Sequence, residues 1–145
     1  MDYRKFGDTY YIRLDRGDEI IEKILEVCEN EQICSATFSG IGGCGDASLQ
    51  TFVPEQGAFE TKTVSGALEM VSLLGNVISD DDGKLYYHAH AMYTYRQNDE
   101  PRAIGGHLKS STVLYTGEIT LQPVQGVTIG RTFNPETGTG FWKLH

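Results

Sequence analysis

Three of the four histidines in the chain, His88, His90 and His107, lie close together in the sequence and could hold a metal ion. His88 and His90 fall inside a predicted strand, residues 84–95, and side chains two positions apart on a strand share a face, about 6–7 Å apart. That spacing lets two imidazoles converge on one ion with metal–nitrogen bonds of about 2 Å. His107 directly follows two glycines, which would let its backbone approach the sheet closely and aim the ring inward. The pattern therefore predicts one site built from all three imidazoles.

Three neutral imidazoles suit zinc, and also nickel, copper or iron. A site with three histidine ligands leaves one coordination position open, for water or for a ligand carboxylate. A His-x-His pair alone also occurs among ordinary core and surface histidines, so the third, glycine-presented histidine strengthens the metal interpretation. We take zinc as the first expectation, with nickel or iron as alternatives.

Two further residues are candidates for the surroundings of this site or for proton transfer. Tyr86 lies two positions before His88 and so shares its face. Glu69 lies in the preceding predicted strand, which a short acidic turn joins to the histidine strand. In such a hairpin Glu69 would face residues 93–94, somewhat offset from His90. Both residues are therefore candidates for the surroundings of the metal, and Glu69 is also an open candidate for a fourth ligand.

A metalloenzyme, either a hydrolase or a lyase, is an alternative interpretation of the same residues. It would need a pocket for the substrate and a base within hydrogen-bond reach of the metal. The candidates for proton transfer are Glu69, Glu118, Tyr86 and Tyr93. Nothing in the sequence chooses between catalysis and simple binding of a small ligand at the open position.

Alternating and apolar runs predict one helix and a sheet. In residues 19–30 the apolar side chains recur at helical spacing, and Asp18 is the predicted N-cap. The fold class is α+β: a mostly antiparallel sheet of six or seven strands with one main helix packed on it, in a single compact domain. Both faces of strand 68–78 are apolar, so one could meet the helix and the other a second subunit. The predicted strands are residues 10–14, 33–38, 47–53, 68–78, 84–95 and 112–123, and residues 103–108 carry the two glycines and His107.

Two other motifs have simpler interpretations than the ligand sites they resemble. Residues 40–45 carry the letters of the dinucleotide fingerprint G-x-G-x-x-G, but that motif needs a helix directly after it, and a predicted strand follows here. We expect a tight loop that needs positive φ angles or a close backbone approach. Residues 80–83 are acidic like a calcium loop but lack its alternating ligands and terminal glutamate, so we expect a hairpin turn.

Composition argues against several classes of partner. The net charge is −8, whereas nucleic-acid affinity comes largely from Lys and Arg at phosphates. No apolar run approaches the roughly 18 residues of a membrane span, and the polar N-terminus is not a signal peptide. The three cysteines are an odd number and are expected to be reduced thiols. These features predict a cytoplasmic protein.

Several short motifs together resemble the prokaryotic branch of the PPC domain family (plants and prokaryotes conserved domain). The resemblance covers nearly the whole chain, roughly from Tyr10 onward, and the combination of motifs is specific although each is short. The matching runs are SGIG at residues 39–42, SGALEMVSLLGNV at 65–77, HAHA at 88–91, IGGHL at 104–108 and FNPETG at 133–138.

The resemblance implies an α+β fold on an antiparallel sheet, a homotrimer, and metal binding by the histidine trio, which belongs to the prokaryotic pattern. It also implies one domain over residues 1–145, with a core at about 10–125 and a C-terminal extension at 126–145. The related plant proteins bind DNA through an AT-hook with an Arg-Gly-Arg-Pro core; here the only Arg-Gly pair continues into acidic residues. We expect a metal-binding protein with a small ligand, and DNA binding or transcription regulation is the alternative that the family suggests.

Overall fold

The computed structural model of the protein describes residues 1–80 and 82–145. Over these residues the chain forms nine strands, one α-helix and a short 3-10 turn at Pro54–Gln56. No helix in this part of the chain is long and apolar enough to span a membrane. The elements are β1 (Asp2–Phe6), β2 (Thr9–Leu14), α1 (Ile20–Asn30), β3 (Ala36–Val53), β4 (Ala58–Ser79), β5 (Leu85–Gln97), β6 (Glu100–Ser110), β7 (Val113–Pro123), β8 (Gly130–Asn134) and β9 (Thr139–Lys143).

Seven of the strands form one antiparallel sheet in the order β1-β2-β7-β3-β4-β5-β6. An additional pairing between β3 and β6 joins β3, β4, β5 and β6 into a closed ring. β8 and β9 form a separate hairpin, which the sequence did not predict as strands, and β1 was not predicted either. The predicted α+β class, with one main helix on a mostly antiparallel sheet, is confirmed.

Helix α1 packs its apolar side against one face of the sheet, with Ile20, Ile24 and Val27 almost fully buried. The predicted N-cap at Asp18 is wrong. The helix begins at Ile20, so Glu19 occupies the cap position and its Oε2 accepts a hydrogen bond of 2.7 Å from the backbone N–H of Glu22. The other carboxylate oxygen accepts from the Ser111 backbone N–H at 2.9 Å, which ties the helix start to the sheet.

The glycine-rich segment 40–45 is not the predicted tight loop but the middle of the long strand β3. None of its glycines has a positive φ angle. The expected close approach is present: a Cβ on Gly42 would lie 2.6 Å from the Thr116 carbonyl oxygen of β7. Irregular register at Gly40/Gly42 and at Cys44/Asp46 accompanies this crowding. β3 pairs with a strand on each side, and the absence of a side chain on glycine lets these strands approach closely enough.

The predicted hairpin turn between β4 and β5 includes Asp81, which lies outside the described residues. Around it, the Gly83 backbone N–H donates to the Asp80 carbonyl at 3.1 Å, and the φ angle of Gly83 is 79°. The resulting β4–β5 pairing sets Glu69 opposite Thr94, as the sequence predicts.

The sheet has one face covered by α1 and one open face, which we call the outer face. Ala89, Ala91 and Tyr93 of β5 point into the core, as predicted, so the alternate residues of β5 lie on the outer face. Successive cross-strand partners form a continuous row on this face from β1 to β6. The row consists of Arg4, Tyr11, Thr120, Ser39, Leu74, His90 and His107.

Candidate metal centre

The three predicted histidines meet on the outer face of the sheet. His88 and His90 lie on β5, and His107 lies on β6 directly opposite His90. A Cβ on the preceding Gly106 would lie 2.7 Å from the Gln50 carbonyl oxygen of β3, which explains the glycine before His107. The expected close approach of this backbone is therefore present, but the His107 ring faces the other imidazoles on the outer face and does not point inward.

The ring nitrogens are spaced as ligands of one ion would be. His88 Nε2 lies 3.2 Å from both His107 Nδ1 and His90 Nε2. One ligand nitrogen from each ring lies within 4.8 Å of the others. Tetrahedral coordination with zinc–nitrogen bonds of about 2.0–2.1 Å places ligand nitrogens about 3.3 Å apart. The residues therefore fit a divalent metal without a change of backbone.

The surroundings of His88 and His107 lower the pKa of both rings and so favour the form that binds metal. Burial lowers the pKa of His88 below its ordinary value, and the nearby His90 lowers it further. The pKa of His107 is also lowered, first by burial and then by His90 and His88. Both shifts favour neutral rings, which have a lone pair available for a metal.

An aromatic wall on one side of the cluster was not predicted from the sequence. The Phe59 ring meets the His107 ring edge-on, with centroids 5.3 Å apart, and Phe52 meets Phe59 at 5.4 Å. Both phenylalanines come from the hairpin between β3 and β4, far from the histidines in sequence. The β3–β6 pairing, which sets Gln50 opposite His107, brings this hairpin to the site, so no local signal could have found the two phenylalanines.

The two further candidates lie outside the ligand cluster. Glu69 is opposite Thr94, whereas the residue opposite His90 is Leu74, so the register separates Glu69 from the histidines along the strand. Tyr86 lies on the outer face at the start of β5, and its hydroxyl donates to Asp80 Oδ2 at 3.2 Å.

The other two candidates for proton transfer are also apart from the trio. Glu118 lies on β7, opposite Ile41 of β3. Tyr93 is fully buried, and its hydroxyl contacts Met70 Sδ at 3.5 Å. Burial raises the pKa of Tyr93 strongly, which makes its hydroxyl a poor proton donor near neutral pH.

The β8–β9 hairpin contacts residues of β4 and β5 that neighbour His88. Trp142 Nε1 donates to Asn76 Oδ1 at 3.2 Å, and Asn76 lies directly opposite His88 in the β4–β5 pairing. The Arg131 guanidinium stacks over the Tyr86 ring at 4.7 Å. The β8–β9 hairpin is thus placed against β4 and β5 by two side-chain contacts.

A family comparison agrees with this architecture and with the sequence motifs. The model of the Plants and Prokaryotes Conserved (PCC) domain matches residues 1–125. The chain belongs to the PCC domain family. The match includes all three histidines, and the β8–β9 hairpin lies beyond it. A search of curated proteins found no match.

Solved structures of similar proteins share the fold of this PCC domain over nearly its full length. A plant- and prokaryote-conserved protein of Pyrococcus horikoshii is 31% identical, with a TM-score of 0.81 over 98% of this chain and 94% of that chain. A candidate DNA-binding protein of Bacteroides thetaiotaomicron is 29% identical, with a TM-score of 0.86 over 98% and 96%. A metal-containing protein of Archaeoglobus fulgidus is 28% identical, with a TM-score of 0.81 over 99% of both chains.

Proposed function

We propose that this PCC domain binds one divalent metal ion through His88, His90 and His107, and that the ion holds a small ligand at its remaining coordination position. The observation that carries the proposal is the pair of 3.2 Å nitrogen–nitrogen distances centred on His88 Nε2. Zinc is the first candidate because three neutral imidazoles and a tetrahedral spacing suit it, and nickel and iron follow. The metal-containing relative from Archaeoglobus fulgidus supports the same proposal.

Metal analysis of the purified protein tests this function. We expect one zinc, nickel or iron per chain in the wild type and a loss of affinity above about 100-fold in His90→Ala, since removal of even an outer partner of a metal ligand costs about 10–100-fold. His145→Ala is the matched control, because His145 is exposed and lies outside the cluster. Metal retained at full stoichiometry by His90→Ala would reject the site.

We also propose roles for the two bordering residues. Tyr86 shares the outer face with His88 and is held by Asp80, so it can limit access to the ion from that end of β5. Glu69 can act on the metal only at a distance, because its cross-strand partner is Thr94 and not His90. Tyr86→Phe should therefore change ligand binding more than metal binding, and Glu69→Gln should change metal binding little.

We propose that the protein is a homotrimer and that the outer face of the sheet forms its subunit interface. Tyr11, Ile41, Val71 and Leu74 are each about half exposed or more on this face, between 47% and 60% of their surface. They line a groove of about 640 Å³, and exposed apolar patches of this kind commonly mark subunit interfaces. Leu74→Asp should give a smaller species in light scattering after gel filtration. Val127→Asp, on an exposed apolar residue outside the groove, is the control.

DNA binding has weaker support than metal binding. It comes from the Bacteroides thetaiotaomicron relative, which is named as a candidate DNA-binding protein. The net charge of −8 opposes it, because phosphate contacts need basic groups. We expect no tight complex with duplex DNA in a gel-shift titration. Tight binding that weakens steeply with salt would favour the DNA-binding function.

We propose the cytoplasm as the compartment of the protein. Cys28, Cys34 and Cys44 are all free thiols in the structure. Free thiols are typical of a reducing compartment, since disulfides form in oxidising ones. Fractionation of the native cells, with immunodetection of the chain, tests this assignment.

A further inference from the structure

β5 and β6 separate directly beside the three histidines. Their pairing ends at His90 and His107, and from His107 onward β6 pairs with β3, where His107 lies opposite Gln50. A cavity of about 260 Å³ lies where the strands separate. Its lining includes His88, His107, Gln50, Phe59 and Lys109, so two of the proposed metal ligands form part of its wall.

Lys109 adds a positively charged side chain to the lining of this cavity. It lies two positions after His107 on β6, so the two side chains share a face with Cα atoms about 6–7 Å apart. The Tyr87 hydroxyl donates to the Lys109 carbonyl at 3.3 Å and links the separated strands at this point. None of the ion pairs among residues 1–80 and 82–145 involves Lys109, so its ammonium is available to a ligand.

Phe59 supplies an apolar part of the cavity wall beside His107. Its ring edge contacts His107, and 46% of its surface is exposed towards solvent and the cavity. A ring in this position can cover a short aliphatic chain and exclude water from it. A cavity of about 260 Å³ lies below the 300–1,000 Å³ typical of drug-sized ligands, which indicates a small molecule.

We propose that this cavity binds a short aliphatic dicarboxylate, an inference that rests on the proposed metal site. One carboxylate occupies the open position of the metal held by His88, His90 and His107. The second carboxylate pairs with the Lys109 ammonium, and the methylene spacer spans the cavity, which Phe59 borders beside His107. No bond is made or broken, so the inference concerns recognition alone.

The charge pattern favours a dianion with separated charges over a compact ion. The metal and Lys109 are two separate positive centres at the wall of one cavity, whereas inorganic phosphate has its charges on one atom group. The net charge of −8 repels anions only weakly at a distance, because screening at physiological salt acts over about 8 Å. The nearby positive charges therefore decide which ligand binds.

Calorimetry on the zinc-loaded protein tests the inference, with succinate as the probe and butyrate and inorganic phosphate as comparators. We expect succinate to bind more tightly than either comparator. Lys109→Gln should weaken succinate binding by about fivefold or more, the ratio expected for loss of one ion pair worth about 1 kcal/mol. Phe59→Ala should weaken both succinate and butyrate. Lys62→Gln removes an exposed lysine of β4 outside this cavity and should change neither.

Metal content, measured on the same samples before and after titration, distinguishes a failure of the metal site from a failure of the dicarboxylate inference. A wild type that takes up no metal rejects the metal site and this inference together. A protein that keeps its metal but does not bind succinate rejects the inference alone. The inference is also wrong if Lys109→Gln binds succinate as tightly as the wild type, or if butyrate or phosphate binds as well as succinate.

Discussion

His90 and His107 lie directly opposite each other on β5 and β6, with ring centroids 4.2 Å apart. His107 is the last residue of β6 that pairs with β5, and it also lies opposite Gln50 on β3. The third imidazole thus sits where a strand changes partner. Its position depends on how closely β6 can approach two other strands at once.

Substitution of Gly106 tests the dependence of the site on this close approach. A Cβ there would lie 2.7 Å from the backbone oxygen of Gln50, which cannot move without disturbing β3. Gly106→Ala should lower the free energy of unfolding by about 1–3 kcal/mol, as overpacking does. It should also weaken zinc binding although every ligand remains. Urea unfolding and zinc calorimetry measure the two effects.

Gly130→Ala is the control for this substitution. Gly130 lies in β8, and an added Cβ would meet only the Lys143 side chain, at 3.6 Å. Zinc binding should therefore be unchanged in Gly130→Ala. Equal zinc affinity in Gly106→Ala and the wild type would show that the glycine does not position His107.

Trp142 should report metal binding, because it is the only tryptophan in the chain and contacts Asn76, the cross-strand partner of the proposed ligand His88. Its indole N–H donates to Asn76, which lies opposite His88. We expect Cu²⁺ to quench its fluorescence and to saturate near one ion per chain. The same titration of His88→Ala should show little quenching. Equal quenching in that variant would mean that the copper binds elsewhere.

Glu19 should contribute to stability through both of its carboxylate oxygens. Glu19→Ala removes the helix cap and leaves the buried Ser111 N–H without its acceptor. We expect a loss of about 2 kcal/mol in the free energy of unfolding, measured by urea denaturation. Glu29→Ala, at an exposed position of the same helix, should change stability by less than about 0.5 kcal/mol. Equal effects of the two substitutions would contradict the capping role.

The three thiols should differ sharply in reactivity. Cys34 is exposed, whereas Cys28 and Cys44 are fully buried. Burial raises the pKa of Cys28 to about 12 and also raises that of Cys44, so neither forms much thiolate at pH 8. A maleimide reagent should modify one thiol quickly and the other two only after unfolding, as counted by mass spectrometry. Rapid modification of Cys34→Ser would contradict this burial.

The β4–β5 hairpin shows how much of the strand register can be predicted from the sequence. Strand alternation and an acidic turn predict that Glu69 faces residues 93–94, and the structure pairs it with Thr94. An irregularity between Met70 and Ser72 then shifts the register by one position, so Leu74 faces His90. A bulge of this kind depends on packing between strands, and the residues themselves give no periodic signal for it.

For the glycine-rich segment of β3, the predicted loop is wrong and the expected close backbone approach is present. Glycine is typical of loops, and the sequence alone does not show that a neighbouring strand requires it. Gly42 is needed because the Thr116 carbonyl of β7 lies too close for a side chain. The aromatic wall at Phe59 was missed because the β3–β4 hairpin reaches the site only through the β3–β6 pairing.

The sequence by itself determined that His88 and His90 share one face, because the two-residue period of a strand is a property of the local backbone. It also marked His107 through the glycines before it. Only the tertiary structure decided that the His107 ring meets the other two, since that contact requires β6 to pair with β5 and then with β3. Such non-local pairings depend on the packing of the whole sheet, and no short stretch of sequence contains them.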